Sequence, residues 1–316
     1  MRRRGVRAVV MREFGPPEVL EPAEVDEVTA GPGEVVIEAE FANVTFVETQ
    51  IRAGRAPHRS MLPALPVILG NGTGGTVAGR RVVASLNGAG GYAERVAVDA
   101  RRLIDVPDGL SLRDAVALLA DGRTALSLIG RAGLRTGETA LVEAAGGGVG
   151  TLLVQLARQG GARVVALAGE PGKLALAREL GADIAVDYRR EDWPGLVRDA
   201  AGRVDVVFDG VGGDVGRAAF GLLGNGGRFY PFGMASGSFA PVTPELAAER
   251  GVTVLRGGPA SAEESATLSR AALAEAVAGR LRPVIGQEFD LARASAAHAA
   301  IEARATVGKT LLTVPR

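Results

Sequence analysis

Residues 142–173 read VEAAGGGVGTLLVQLARQGGARVVALAGEPGK, and the order of apolar runs and glycines within them decides the fold. An apolar run ends in alanines, glycines crowd the next positions, and a helix-like segment leads to a second apolar run, RVVALA (163–168). Glycine costs backbone entropy in any ordered element, so the crowding needs a geometric reason. Ala144, Gly147 and Gly150 place a small residue at every third position. At the start of a helix, that spacing leaves the amides of Gly147, Gly148, Val149 and Gly150 facing an incoming anion, favoured by the helix dipole. Gly147 permits close approach and Gly150 lets the helix pack on the sheet. Residue 144 is alanine, so the turn is expected to avoid left-handed backbone there. After the first strand of a repeated βα pattern, such a triplet indicates dinucleotide binding. A purely structural turn and another nucleotide-type ligand are the alternatives.

The pattern continues on both sides of this stretch. Downstream, KLALAREL (173–180), IAVDY (184–188), VDVVFDGVG (204–212), GGRFYPFG (226–233) and VTVLRG (252–257) alternate helix-like and strand-like runs. Strands roughly 20–25 residues apart with helices between them imply right-handed crossovers and a parallel sheet. Upstream, VRAVVM (6–11), EVVIEAEFANV (34–44) and GYAERVAVD (91–99) carry β-forming residues between glycine-rich turns. SLRD (111–114) marks a helix start, with an apolar body from Ala115 to Ala120 expected to end near Gly122. The tail reads as helices over 262–279 and 290–303, the second capped by Asp290. A last strand, KTLLTV (309–314), has no neighbour in sequence and is expected to return to the N-terminal β-rich region.

Composition narrows the function classes. The 316 residues suffice for two ordinary domains, and a 47% hydrophobic fraction excludes general disorder. Lys plus Arg equal Asp plus Glu at 36 each, so no broad attraction to nucleic acid or an anionic membrane is expected. No apolar run reaches the roughly 20 residues that span a bilayer, and the basic N-terminus lacks the apolar core of a secretory signal. The chain contains no cysteine, which excludes disulfides, thiolate catalysis and cysteine–zinc sites. A cytoplasmic protein fits this composition.

The second strand of the βα block discriminates between dinucleotides. An NAD site often ends that strand with a carboxylate on the adenosine ribose. Here Ala168 and Gly169 leave room for a 2′-phosphate, Lys173 supplies charge, and Tyr188 and Arg189 close the same pocket. NADP (or NADPH) is therefore favoured over NAD, although Glu170 opposes a phosphate unless its side chain turns away.

GGGVG (146–150), ARELGAD (177–183), DYR (187–189) and FDGVGG (208–213) resemble the zinc-independent quinone oxidoreductases of the medium-chain dehydrogenase/reductase superfamily. RVVASLNGAGGYAERV (81–96) and GKTLLTV (308–314) extend the resemblance into both terminal regions. It implies an α/β architecture in which a GroES-like β-rich catalytic domain, residues 1–115 and 281–316, accompanies a Rossmann doubly wound parallel-sheet domain, residues 116–280. It also implies a homodimer, with the last strand rejoining the first domain.

Zinc chemistry is not expected. With no cysteine, imidazoles could come only from His58 and His298, which are far apart in sequence and in different environments. Hydride transfer needs no metal when the acceptor is already electron-poor. By resemblance, Thr45 in NVTFVETQIRAG (43–54) stands where asparagine is common, Glu48 replaces aspartate, and Gln50 replaces an aromatic residue. Thr124 in DGRTA (121–125) is expected to orient the nicotinamide, and Arg123 to pair with Asp121 or reach a phosphate. Tyr92 has two readings, a tyrosine bridging core and surface or a proton donor to a substrate oxygen. Val211, Phe232, Gly233 and Met234, after parallel strands, are expected nicotinamide contacts. Lys309 has two readings, phosphate contact or strand anchor.

The function so indicated is metal-free, NADPH-dependent reduction of a small planar electrophile, a quinone or an activated carbonyl compound. Enone or enoyl reduction, a non-catalytic NADPH-binding protein and a methyltransferase-like α/β fold remain as alternatives.

Overall fold

The computed structural model describes residues 5–86, 88–257 and 261–315. Met1–Arg4 of the basic N-terminus and Asn87 of the 81–96 segment lie outside the described residues. The β-branched residues of the N-terminal part form strands β1 (Val6–Met11), β2 (Leu20–Val25), β3 (Glu34–Val44), β4 (Val67–Ile68), β5 (Gly72–Val77), β6 (Arg80–Ser85), β7 (Arg95–Asp99) and β8 (Ile104–Asp105), with helix α1 (Phe46–Arg52) after β3. Of the run read as a strand over 91–99, only its second half is one.

Helix α2 (Leu112–Ala132) starts where SLRD places it: Asp114 N–H donates to Ser111 Oγ at 3.0 Å. It does not stop near Gly122 but continues for another ten residues. Gly122 serves close packing instead, since a Cβ there would lie 2.7 Å from the Cβ of Ala272. A glycine inside a helix weakens it but is tolerated where a neighbouring helix needs the space.

The alternating block becomes β9 (Thr139–Val142), α3 (Gly148–Gln159), β10 (Arg163–Ala168), α4 (Pro171–Glu179), β11 (Ile184–Asp187), α5 (Trp193–Ala201), β12 (Val204–Asp209), α6 (Gly213–Phe220), β13 (Leu223–Pro231), α7 (Pro244–Glu249) and β14 (Thr253–Val254). Its six strands pair in the order β11-β10-β9-β12-β13-β14, all parallel. The order reverses at β9, which puts the ends of β9 and β12 at the switch point where α/β sheets bind ligands. β9 is buried along its whole length, as expected for a parallel strand covered on both faces. Trp193, Val197, Phe220 and Phe229 belong to the apolar cluster on this sheet. The last two meet edge-to-face at 5.4 Å, worth about 0.5–1.5 kcal/mol beyond area burial.

The tail adds α8 (Ala262–Val277), β15 (Ile285–Asp290), α9 (Ala294–Glu302) and β16 (Lys309–Thr313). Asp290 caps a short turn that precedes α9, accepting from Ala292 N–H at 2.9 Å. β16 pairs antiparallel with β3, Thr310 opposite Val44, and parallel with β15. The final strand thus returns to the N-terminal sheet, with order β15-β16-β3-β5-β6-β8 and β7 also on β3; β2-β1-β4 form a second small sheet.

The chain divides into two compact units, residues 1–123 with 263–316, and residues 124–262. The first is the antiparallel, GroES-like unit and the second the Rossmann-like parallel-sheet unit. These limits differ from the division at 115 and 281 read from sequence, because the first turns of α2 and most of α8 belong to the first unit.

Candidate functional site

In the parallel-sheet unit, the turn after β9 is held by its own backbone. Gly147 N–H donates to Ala144 O at 2.8 Å, and Ala145 N–H to Leu167 O at 3.0 Å. Ala144 has φ of +48°, contrary to the expectation that an alanine would keep this position out of the left-handed region. The surrounding hydrogen bonds impose the conformation, at a cost of about 1–2 kcal/mol for a residue with a Cβ. Gly150 is compelled by sterics: a Cβ there would lie 2.2 Å from Ala144 O. Helix α3 therefore starts directly against the turn. Its first amides, those of Gly148, Val149 and Gly150, have no intrahelical acceptor and form the positive end of a twelve-residue helix.

Lys173 lies across this turn. A Cβ on Gly146 would come 2.7 Å from both Cβ and Cγ of Lys173, so the lysine stem packs on the glycine backbone. Its ammonium is 3.5 Å from Glu170 Oε1, which turns that carboxylate into the lysine's partner at the start of α4. Beside it, a Cβ on Gly169 would lie 3.3 Å from the Tyr188 hydroxyl oxygen and 3.4 Å from Arg189 Cδ. Arg189 folds back on Asp187, Nη2 to Oδ2 at 2.8 Å, in a half-exposed pair that contributes at most about 1 kcal/mol. Glycine turn, lysine, tyrosine and arginine thus converge at the ends of β9, β10 and β11.

At the other side of the switch point, the loops after β12 and β13 touch. Phe232 N–H and Gly233 N–H both donate to Asp209 O, at 2.9 and 3.1 Å. A Cβ on Gly233 would lie 2.5 Å from Gly210 O, and one on Gly210 would lie 2.8 Å from Phe232 Cζ and 3.5 Å from Ala144 Cβ. Ala144, Gly210 and Phe232 therefore border one space. Val211 is buried beside them, and Met234 closes a turn through its carbonyl on Gly237 N–H at 2.9 Å.

Known proteins share this fold. A model of the family described as zinc-binding dehydrogenase matches residues 148–274. A quinone oxidoreductase of Pseudomonas aeruginosa is 30% identical, the alignment covering 95% of this chain and 97% of that one. A 2-haloacrylate reductase of a Burkholderia species is also 30% identical, with 97% and 98% covered. Among solved structures, the quinone oxidoreductase of Thermus thermophilus, described together with its NADPH complex, superposes with a TM-score of 0.85 at 36% identity, covering 97% of this chain and 99% of that one. The chain belongs to the quinone-oxidoreductase-like branch of the medium-chain dehydrogenase/reductase superfamily. The name of the matching family model notwithstanding, the chain has no cysteine, and among the described residues no group of three or more His, Asp or Glu side chains is arranged to hold a metal ion.

The candidates in the antiparallel unit of this family member are placed differently from expectation. Tyr92 is completely buried, its hydroxyl 3.0 Å from Nε2 of the equally buried His298. Burial, with Glu48 nearby, drives its pKa well above the usual tyrosine value. A hydroxyl so enclosed is a structural group and not an accessible acid, which corrects the reading of Tyr92 as a proton donor. Thr45 caps α1; its N–H and Oγ1 both donate to Glu48 Oε2, at 2.6 and 2.8 Å. The Thr45 hydroxyl proton is thereby committed to the Glu48 carboxyl. Glu48 Oε1 accepts from Asn71 N–H at 2.6 Å, and burial raises the pKa of this carboxyl against the pull of those hydrogen bonds and of Lys309. Lys309 is an anchor: its buried ammonium donates to Asp121 Oδ1 at 2.8 Å, which removes it from the phosphate-binding candidates. Asp121 is thus taken, and Arg123 donates to Ser85 Oγ at 3.4 Å instead. Thr124, the first residue of the parallel-sheet unit, is half-buried within α2 and not in a loop. His58 is exposed.

Two buried acids beside this turn escaped the sequence reading. Glu143 and Asp209 are fully buried at the ends of β9 and β12, directly beneath the turn and the Val211 loop. Each is an acid closing an apolar strand run, a signal present in TALVE and VDVVFD but uninformative until the strands are known to be neighbours.

Proposed function

We propose that the protein is a metal-free, NADPH-dependent oxidoreductase that delivers hydride to a quinone or a similarly activated carbonyl acceptor. The observation that carries this reading is the stem of Lys173 lying on Gly146, which brings a cation to the same glycine turn whose first helix amides have no intrahelical acceptor. A diphosphate fits the amides of Gly148, Val149 and Gly150, which a Cβ at 150 would not allow. A 2′-phosphate fits beside Gly169, where Lys173 is joined by the Tyr188 hydroxyl and by Arg189, whose half-exposed pairing with Asp187 costs little to exchange. The Ala144–Gly210–Phe232 space, with Val211, Gly233 and Met234 around it, suits the nicotinamide ring.

NADPH supplies the hydride; the protein's part is alignment and exclusion of water. Helix α3 and Lys173 hold charge, the small residues at 144 and 210 permit close approach, and Phe232 walls the space. Thr124 is assigned to cofactor orientation, and Thr45 to a polar contact with the substrate. The likeness to a 2-haloacrylate reductase supports an α,β-unsaturated carbonyl acceptor as the second reading. The same proposal takes the protein as a cytoplasmic homodimer. Its cysteine-free composition is in keeping with a reducing compartment, and light scattering on the eluted protein tests the subunit number.

The deciding experiment follows the near-ultraviolet absorbance of NADPH and NADH in the presence of benzoquinone, phenanthrenequinone and short enones. Faster oxidation of NADPH with quinones is expected. Turnover with enones alone moves the assignment to ene reduction, and binding without any turnover makes the protein a non-catalytic NADPH carrier.

A further inference from the structure

Val142 of β9 and Phe208 of β12 are register partners, so the residues that follow them, Glu143 and Asp209, emerge side by side. Both side chains have 0% exposure. One oxygen of each is accounted for: Glu143 Oε2 accepts from Val211 N–H at 3.1 Å, and Asp209 Oδ1 from Gly212 N–H at 2.6 Å. The other oxygens, Glu143 Oε1 and Asp209 Oδ2, have no donor among the described residues. Two adjacent carboxylates buried without a cation cannot both be ionised, and a single proton shared between them satisfies both orphan oxygens at once.

The surroundings decide which group carries the proton. Asp209 lies at the N-terminal end of α6, where an amide bond and the helix dipole favour the anion; a Cβ on Gly216 would fall 2.6 Å from its Oδ2. Glu143 has only one amide. Burial raises both carboxyls, Glu143 well beyond the usual carboxylate range and further because of Asp209, while the bond from Glu143 and the amides of Gly212 and Val211 draw Asp209 back. Glu143 is the acid and Asp209 the anion.

We infer that Glu143 is a positioning residue for the cofactor site: its protonated carboxyl donates to Asp209 and accepts from Val211 N–H, fastening the glycine turn after β9 to the loop after β12. The inference rests on the NADPH reading of this site. Loss of the proton would set two anions against each other between these loops, and cofactor affinity would fall with it.

Other titratable groups on the packed elements are engaged elsewhere. Asp205 of β12 accepts from Thr139 N–H, Arg228 of β13 pairs with Glu138, Arg163 of β10 donates to the Ala200 and Ala201 carbonyls, and Arg158 of α3 pairs with Asp183. Arg217 of α6 lies over the Phe220 ring; Asp214 of α6 and Tyr230 of β13 complete the set. Among the described residues, the titratable group acting on each of Glu143 and Asp209 is the other.

The test combines two readouts on full-length protein. Calorimetric NADPH titrations of the wild type and of Glu143→Gln, run from about pH 6.5 to about pH 9.5, compare their pH profiles. The wild-type dissociation constant is expected to rise in alkali with a slope approaching about tenfold per pH unit. Glutamine keeps a donor for Asp209 and an acceptor for Val211, so that variant should bind within about threefold of wild type at neutral pH and lack this limb. Alkaline losses from other groups are common to both proteins and cancel in the comparison. Glu143→Leu, with neither donor nor acceptor, should bind at least about tenfold more weakly throughout. Superimposable wild-type and glutamine profiles, or undiminished binding by the leucine variant, overturn the inference. Infrared difference spectra without cofactor supply the second readout: a protonated-carboxyl stretch at neutral pH, present in wild type and absent from Glu143→Gln. Its absence from wild type overturns the shared proton whatever the cofactor does. Its presence in a protein that does not bind NADPH overturns the functional reading, and with it the positioning role.

Discussion

The Tyr92 hydroxyl lies 3.0 Å from His298 Nε2, with both rings fully buried and set edge-to-face at 88°. Burial, reinforced by the charge of Arg52, lowers the His298 pKa to about 3, so the imidazole is neutral in the fold. The unfolded chain protonates it near pH 6.5. The native state therefore binds fewer protons below that value, and stability is full above about pH 6.5 and declines as pH falls toward about 3. The expected loss is about 1.4 kcal/mol per pH unit within this window. His298→Gln removes it, measured as a flatter pH dependence of the urea midpoint.

Tyr92→Phe separates structure from catalysis. Removing the hydroxyl leaves His298 without its partner and should cost about 1–3 kcal/mol in urea unfolding. The turnover number should be unchanged, because the hydroxyl does not reach an acceptor; a large fall in kcat with normal stability would restore Tyr92 as the acid.

Lys309 and Asp121 form a buried pair 188 residues apart in sequence. Lys309→Ala leaves Asp121 as an uncompensated buried charge and should destabilise by about 3–5 kcal/mol. The double variant Lys309→Met, Asp121→Leu removes both charges and should recover most of the loss, while NADPH affinity stays at the wild-type value.

Lys173→Ala tests cofactor choice. A lost charge-assisted bond to the 2′-phosphate is worth about 1.5–3 kcal/mol, so the NADPH dissociation constant should rise roughly tenfold to a hundredfold. NADH binding should change less than about twofold. Equal losses for both cofactors would remove Lys173 from the phosphate site.

Gly150→Val should abolish cofactor binding while circular dichroism retains the αβ signal. A branched side chain cannot occupy a position whose Cβ already lies 2.2 Å from Ala144 O without pushing α3 off the turn.

Much of the fold was written locally. Six parallel strands, the glycine turn and the start of α2 follow from short-range periodicity and turn chemistry, and the return of the last strand from its having no neighbour in sequence. The end of α2 did not, because Gly122 is a stop signal by type but a packing contact with Ala272 in space. β15 was missed because IGQEFD alternates only weakly and takes its identity from pairing with β16. The candidates on the glycine turn and at the next strand ends are local features of the sequence, since all sit at fixed offsets from strands.

By itself, then, the sequence determined the βα alternation of the parallel unit, the glycine turn after its first strand and the lack of any thiolate ligand, since none of these depends on distant neighbours. Tertiary structure alone decided that Glu143 meets Asp209, that Lys309 answers Asp121 and that Tyr92 turns inward to His298. Such pairings span 66 to 206 positions and are fixed by strand register and burial, which place charges and hydroxyls where no periodic pattern records them.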